Sequence, residues 1–266
     1  MKSESHDEEM VDVYSHIYDA FYDFRPDAME YAHTIISKNL NELGVDIESL
    51  SKENVLNIGT GRETLVFHQL GAKKVFHFDV SNRSVQNLQV MSRNEKRFNN
   101  IHSTQSDVCE TGALGLNKEV DVVYLNGVLH HLHETGIAVK NIAKSLKPSA
   151  KIFFRIYRSG SLGFFVVDFI RRLISYDDFE LTSQMASQKF GNTEDPAGMY
   201  ADVIDDFFVP ILKLFDPREI DGFFVKNGFK VLVERHFSEY DHSGTGSAGQ
   251  GWSLYYENLD SDASSL

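Results

Sequence analysis

The chain has 266 residues, and 42% of them are hydrophobic, enough to bury an ordinary core. With 39 acidic against 26 basic residues, its net charge of −13 works against a nucleic-acid backbone or an anionic membrane as partner. A single cysteine, Cys109, excludes an intramolecular disulfide and suits a reducing compartment.

The acidic stretch Met1–Glu9 lacks the apolar segment of a signal peptide, and no apolar run approaches the roughly 20 residues that span a bilayer. A soluble cytoplasmic protein is expected. After a leader over residues 1–10, helices are predicted at Val11–Asp23 and Pro26–Leu43, forming a cap over residues 11–50. Pro26 suits a first helical turn and Gly44 a C-terminal stop. The first helix is rich in aromatic residues, among them Tyr14, Tyr18 and Tyr22, which either pack on the main domain or cover a ligand.

Strands and helices then alternate over residues 51–158, the pattern of a parallel α/β sheet. Strands fall at Asn54–Ile58, Lys74–Asp79, Ile101–Asp107, Val120–Asn126 and Lys151–Tyr157. Helices begin near Glu63, cover Asn82–Phe98, and run from Thr135 to Leu146, where Lys147-Pro148 ends the last of them. The rhythm breaks over 159–215, an apolar and acidic insertion read as a lid. Its residues Phe164, Phe165, Phe169, Phe179, Tyr200, Phe207 and Phe208 offer aromatic walls, with at least half of them read as core packing instead, while Asp202, Asp205 and Asp206 either greet a cationic acceptor or, the favoured reading, face water. Residues 216–258 add a helix opening on Asp216-Pro217 and strands at Phe229–Arg235 and Trp252–Glu257. A polar tail covers 259–266.

The segment Val55-Leu56-Asn57-Ile58-Gly59-Thr60-Gly61, with Asp79 about twenty residues later, has the layout of a nucleotide-binding βαβ unit. Glycines let the backbone turn sharply beside a ligand, and Asp79 stands where a carboxylate accepts from ribose hydroxyls. The third glycine of a dinucleotide fingerprint is absent. Thr64 stands in its place and Glu63, beside the pyrophosphate position, would repel a diphosphate, so a nicotinamide dehydrogenase is the weakest reading. An adenosine carrying an amino acid, S-adenosylmethionine, is tolerated. Ser106-Asp107-Val108 ends the third strand, Asn126-Gly127-Val128-Leu129-His130-His131-Leu132 follows the fourth, and Leu146-Lys147-Pro148 precedes the fifth.

On these residues the chain resembles the class I S-adenosylmethionine-dependent methyltransferases over roughly Glu53 to Asn258, most of all small-molecule enzymes with a Val-Leu-His-His-Leu turn. The resemblance implies a Rossmann-like sheet of seven mostly parallel strands with an antiparallel last strand. Helices would cover both faces, with an N-terminal helical cap and an inserted helical lid. It also implies that Asn57, Gly59, Thr60 and Gly61 meet the methionine portion of the cofactor, and Asp79 with Val80 its ribose. Ser106, Asp107 and Val108 would meet its adenine, and Asn126 with Gly127 its sulfonium side. Asn57 departs from the family's usual acidic residue, Glu63 from its usual glycine, and Ser149-Ala150 from a common Gly-Gly.

In similar enzymes the first histidine of the pair acts as general base, which points to His130, with His131 beside it; methyl transfer also works by positioning alone, so structural roles stay open. Tyr18, Tyr22, Arg155 and Tyr200 are candidate contacts to a small-molecule acceptor. The histidine cluster carries no cysteine or carboxylate signature for a metal. The expected activity is methyl transfer to oxygen or nitrogen of a small molecule. A protein substrate, or cofactor binding without turnover, are the alternatives, and the oligomeric state is not readable.

Overall fold

The computed structural model describes residues 9–15, 26–110, 112, 114–157, 159, 162–175, 178–190, 203–236 and 251–258. Five parallel strands form its centre: β1 (Asn54–Ile58), β2 (Lys74–Asp79), β3 (Ile101–Gln105), β4 (Val120–Asn126) and β5 (Leu146–Tyr157). Their spatial order is β3-β2-β1-β4-β5, so the chain steps outward from β1 and returns to its other side at β4. A crevice opens at such a reversal, outside the carboxyl ends of the strands. Beyond β5, β7 (Gly251–Asn258) pairs antiparallel with both β5 and β6 (Phe229–His236).

Helices cover both faces because adjacent residues of a strand point opposite ways. Val55, Val122, Tyr124 and Phe153 face α1 (Pro26–Glu42), α2 (Gly61–Gln69) and α3 (Asn82–Asn94). Leu56, Val123, Leu125 and Phe154 face α4 (Thr135–Ser145) and α7 (Pro217–Val225). Burying each of these large side chains stabilises the fold by roughly 1.5–3 kcal/mol. Asn39 of α1 donates a 2.9 Å hydrogen bond to the Tyr124 hydroxyl, fixing that helix against the sheet.

The caps follow the sequence signals. Asp216 accepts from the Arg218 amide at 2.9 Å with Pro217 in the first turn. Gly44 stops α1 at φ +68°, and Val45 donates back to the Leu40 carbonyl at 2.9 Å.

Three of the departures from the predicted bounds have a plain physical reason. The helix after β2 ends at Asn94 rather than Phe98, because a separate turn at Lys96–Phe98 buries the Phe98 ring. β3 stops at Gln105; Asp107 lies beyond it and accepts from the Cys109 amide at 2.7 Å. β5 starts at Leu146, five residues early, since Leu146 already pairs with Val120. The register then slips, with Val122 opposite Lys151, and Ser149 sits in the slip at φ +62°.

The segment between β5 and α7 holds α5 (Leu162–Arg171), α6 (Phe179–Phe190) and a short helical run at 203–208. Helical residues 9–15 pack on that last run: Met10 and Val13 join Ile204, Phe208 and Val209 in a small separate core. Of the two roles expected for the aromatics of this segment, packing is the one seen for Phe179, Phe207 and Phe208. Phe165 and Phe169 are 67% and 56% exposed, and Phe179 packs edge-on to Phe208 at 5.2 Å. The side chain of Phe164 and the whole of Tyr200 lie outside the described residues. Among the described residues, no helix is long and apolar enough to cross a membrane.

A non-glycine residue held at positive φ carries a steric cost of about 1–2 kcal/mol. Ser149→Gly is therefore expected to raise unfolding stability by roughly 0.5–1 kcal/mol, after the entropic cost of glycine. Urea denaturation measures it, and an unchanged or lowered midpoint would show that the bulge is not strained at this residue.

Candidate active site

β1 delivers the chain into a turn that only glycine fits well. Gly59 has φ +118°, and a Cβ there would stand 3.2 Å from Val128 Cγ2. Thr60 then caps α2, accepting from the Glu63 amide at 3.5 Å. The Gly59 carbonyl is held from below by His77 of β2, whose Nε2 lies 2.7 Å away. Its Nδ1 meets the Ser103 hydroxyl at 2.7 Å, and burial pushes this histidine down to about 4, so it stays neutral. Nε2 must then carry the proton it gives to Gly59. No sequence motif marks His77; only its place opposite Asn57 in the β1–β2 register does.

Above this turn lies a cavity of about 200 Å³. One end is formed by Gly59, Thr60, Asp79, Val80 and the run Ser106–Val108, and the middle by Asn126 and Gly127. Asp79 accepts from the Ser81 amide at 2.8 Å and keeps its carboxylate at the mouth of β2. Nine of the eleven residues expected at a cofactor thus border one cavity, and Asn57 and Gly61 do not.

Those two have other work in the structure. Gly61 allows α2 to lie against α3, since a Cβ there would stand 3.3 Å from Leu88. Asn57 is fully buried, and its amide donates to the Thr60 carbonyl at 2.9 Å and to the Thr64 hydroxyl at 3.0 Å. A carboxylate could not donate to the Thr60 carbonyl and could meet Thr64 only by accepting from its hydroxyl. Glu63, also buried, accepts from Asn126 Nδ2 at 2.9 Å and so stands one side chain behind the cavity wall. Burial raises its carboxyl from 4.5 to about 7, against the lowering effect of Asn126, Arg62 and Arg155.

The other end of the cavity is lined by Met10, Tyr14, His131, Arg155, Tyr157 and Asp205. His131 Nδ1 is 2.9 Å from the Ile211 carbonyl and must donate to it. Nε2 therefore faces Asp205 Oδ1 at 3.5 Å: protonated, it forms an ion pair, and unprotonated, it offers a lone pair at the cavity. The Tyr14 and Tyr157 hydroxyls donate to the two oxygens of Asp205 at 3.1 and 3.3 Å. Burial by itself raises the Asp205 carboxyl, but His131 and these hydrogen bonds outweigh it and hold the group below its ordinary value. The acidic face expected of Asp205 is thus corrected: the residue turns inward as the hub of the site. Asp202 lies outside the described residues.

His130 is placed differently from its neighbour. It is fully buried, stacks on Tyr157 with ring centroids 3.9 Å apart, and does not border the cavity. Burial, with His131 and Arg155 nearby, keeps it well below 6.5 and neutral. The carboxylate missing from the local sequence is supplied in space by Asp205, whose oxygen lies within 4.8 Å of ligand atoms of both His130 and His131. Of the expected acceptor contacts, Arg155 borders the cavity, and Tyr18, Tyr22 and Tyr200 lie outside the described residues.

A family profile described as a methyltransferase domain matches residues 29–234. No curated protein sequence matches the chain. Among solved structures, the fold is similar to magnesium protoporphyrin IX methyltransferase from Synechocystis PCC 6803 with bound SAH, at 17% identity and TM-score 0.55, with 93% of each chain covered. It is also similar to the 1,6-didemethyltoxoflavin-N1-methyltransferase of Burkholderia thailandensis, at 15% identity and TM-score 0.53, covering 92% of this chain and 87% of that one. The cyclase SpnF has the same fold at 13% identity and TM-score 0.53, with 85% and 80% covered. At such identities the likeness is one of fold.

Glu63 makes a pH prediction. Below pH 4.5 its carboxyl is neutral whether folded or unfolded; between 4.5 and about 7 the fold holds a proton that the unfolded chain releases. Stability contributed by this group is therefore full below 4.5 and lost as pH rises to about 7. Glu63→Gln should be on the order of 3 kcal/mol more stable relative to wild type at pH 8 than at pH 4.5. Urea titrations of both proteins at the two pH values check this, and an equal offset at both would contradict it.

Proposed function

This chain belongs to the family of methyltransferase domains, and we propose that it transfers the methyl group of S-adenosylmethionine to an oxygen or nitrogen of a small molecule. The observation that carries this reading is a single cavity with the nucleoside-type carboxylates Asp79 and Asp107 at one end and the His131–Asp205 pair at the other. The residues present fit the cofactor. Gly59 presents bare backbone to the cavity beside Val128, and Asp79 and Asp107 offer acceptors for hydroxyl and amino groups. Thr60, Val80, Ser106, Val108, Asn126 and Gly127 complete the holding surface. Asn57 and Gly61 support it from behind, the first through the glycine turn and the second through helix packing.

When bound, the cofactor supplies an electrophilic methyl on a sulfonium sulfur. The protein's part is to orient the acceptor and to take its proton. The acceptor's nucleophilic atom would lie between the bound methyl donor and His131, and its proton would pass to His131 Nε2. Asp205 beside that nitrogen stabilises the imidazolium that forms, and the Ile211 carbonyl keeps the ring oriented. In our reading the base is therefore His131 rather than His130, which stacks behind it on Tyr157. The lone, buried Cys109 accords with a cytoplasmic setting.

Calorimetry with S-adenosylmethionine, S-adenosylhomocysteine and NAD tests the cofactor. Micromolar binding of the two sulfur ligands and none of NAD is expected, with Asp79→Ala weakening S-adenosylhomocysteine about 10- to 100-fold through lost charge-assisted hydrogen bonds. Absence of binding would sink the enzyme reading and leave a partner role. With any acceptor that turns over, His131→Ala should cut kcat by about 100-fold or more and leave S-adenosylhomocysteine affinity within about threefold. Loss of turnover on His130→Ala alone would return the base role to His130.

A further inference from the structure

Arg155 is the unexplained group at the acceptor end. It borders the cavity from β5, half-buried, yet its guanidinium has no hydrogen bond or ion pair among the described residues. The other charged side chains of the wall are differently placed. Asp205 is held by Tyr14, Tyr157 and His131, Asp79 accepts from the Ser81 amide, and Asp107 accepts from the Cys109 amide. The Glu63 carboxyl feels Arg155 only weakly, behind Asn126 and Arg62, and burial holds it at about 7, so it is only about half ionised at pH 7. A cation partly withdrawn from water without a counter-charge is costly in a chain that has many carboxylates to spare. A planar guanidinium matches a carboxylate in two-point geometry.

Resting on the methyltransferase reading, we propose that the acceptor carries a carboxylate, which Arg155 binds while the nucleophilic oxygen or nitrogen lies against His131. Position favours the acceptor over the amino-acid end of the cofactor as the source. Asp79 and Asp107 belong to the β2 and β3 edge of the crevice, whereas Arg155 is on β5, on the far side of β4. At about 4.8 Å per strand, β5 lies roughly 10 Å from the glycine turn of β1. Tyr157, two residues along the same strand and so on the same face, donates to Asp205. Arg155 thus shares its strand face with the residue that anchors the proton-accepting pair. Charge limits the anion to one unit. A single guanidinium offsets one carboxylate, while a dianionic phosphate would meet three aspartates in a cavity of about 200 Å³.

The test uses the full chain saturated with S-adenosylhomocysteine and matched probes: benzoate and benzamide, 4-hydroxybenzoate and 4-hydroxybenzamide, glycine and glycinamide, lactate and lactamide. Calorimetry should find at least one acid bound about tenfold or more tightly than its amide. Arg155→Gln should abolish that preference and Arg155→Lys keep part of it, with urea midpoints of both variants showing that they fold. S-adenosylhomocysteine affinity should stay within about threefold of wild type in Arg155→Gln, by the additivity of separate sites. No acid preferred over its amide would overturn the proposal. So would an Arg155→Gln variant that loses S-adenosylhomocysteine but still binds 5′-methylthioadenosine, which lacks the amino-acid carboxylate; Arg155 would then hold the cofactor. Failure of wild type to bind S-adenosylhomocysteine at all would instead sink the methyltransferase reading beneath it.

Discussion

The carboxylate of Asp205 is the contact on which the proposed acceptor end of this molecule depends. It comes from a short helical run late in the chain and is gripped by Tyr14, 191 residues earlier, by Tyr157 at the end of β5, and by His131 after β4. Four segments with no local reason to meet are joined at one charged group. Withdrawing a carboxylate from water costs several kcal/mol, and removing one donor would leave the rest to meet that cost. The apolar contact of Met10 and Val13 with Ile204, Phe208 and Val209 brings the first and last of these segments together. Hydrophobic packing supplies their proximity, and Asp205 supplies their orientation.

The cofactor end rests on a different principle, neutrality. His77 and Glu63 are both buried beside the glycine turn, and desolvation moves them in opposite directions, to about 4 and about 7. Between those values neither carries a full charge. Asn57 continues the pattern with an amide that donates twice into the same turn. A carboxylate at 57 together with a charged Glu63 would place two anions under one turn. In this chain the buried acid beside the turn is on the helix, where Asn126 can donate to it.

Much of this was legible in sequence, and distance along the chain explains what was not. The five central strands announce themselves as short apolar runs between turn residues, and the glycine turn, Asp79, Asp107 and Asn126 follow from their positions at strand ends. Each of those inferences spans fewer than about thirty residues of pattern. The role of Asp205 is invisible because its partners are His131, Tyr14 and Tyr157, and an acidic residue in an amphipathic segment reads as surface. His130 and His131 illustrate a finer limit. They are adjacent on a short helical turn at Leu129–His131, and which ring enters the cavity is fixed by Tyr157 and Ile211, both remote. Phe165 and Phe169 fail for the opposite reason: aromatic content alone says nothing about which side of a helix finds a neighbour.

The two ends also differ in how freely they can change. Residues 57 to 127 build the cofactor end within one continuous stretch, so a substitution there disturbs the turn, the strand ends and their caps together. The acceptor end draws on positions 14, 131, 155, 157 and 205, scattered over most of the chain and joined through side chains. New acceptor chemistry can be written there one residue at a time without reshaping the sheet. A cyclase and several methyltransferases on the same fold are what such a division allows. In the proposed reading, specificity belongs to Arg155 and the clasp around Asp205, and the glycine turn serves the cofactor.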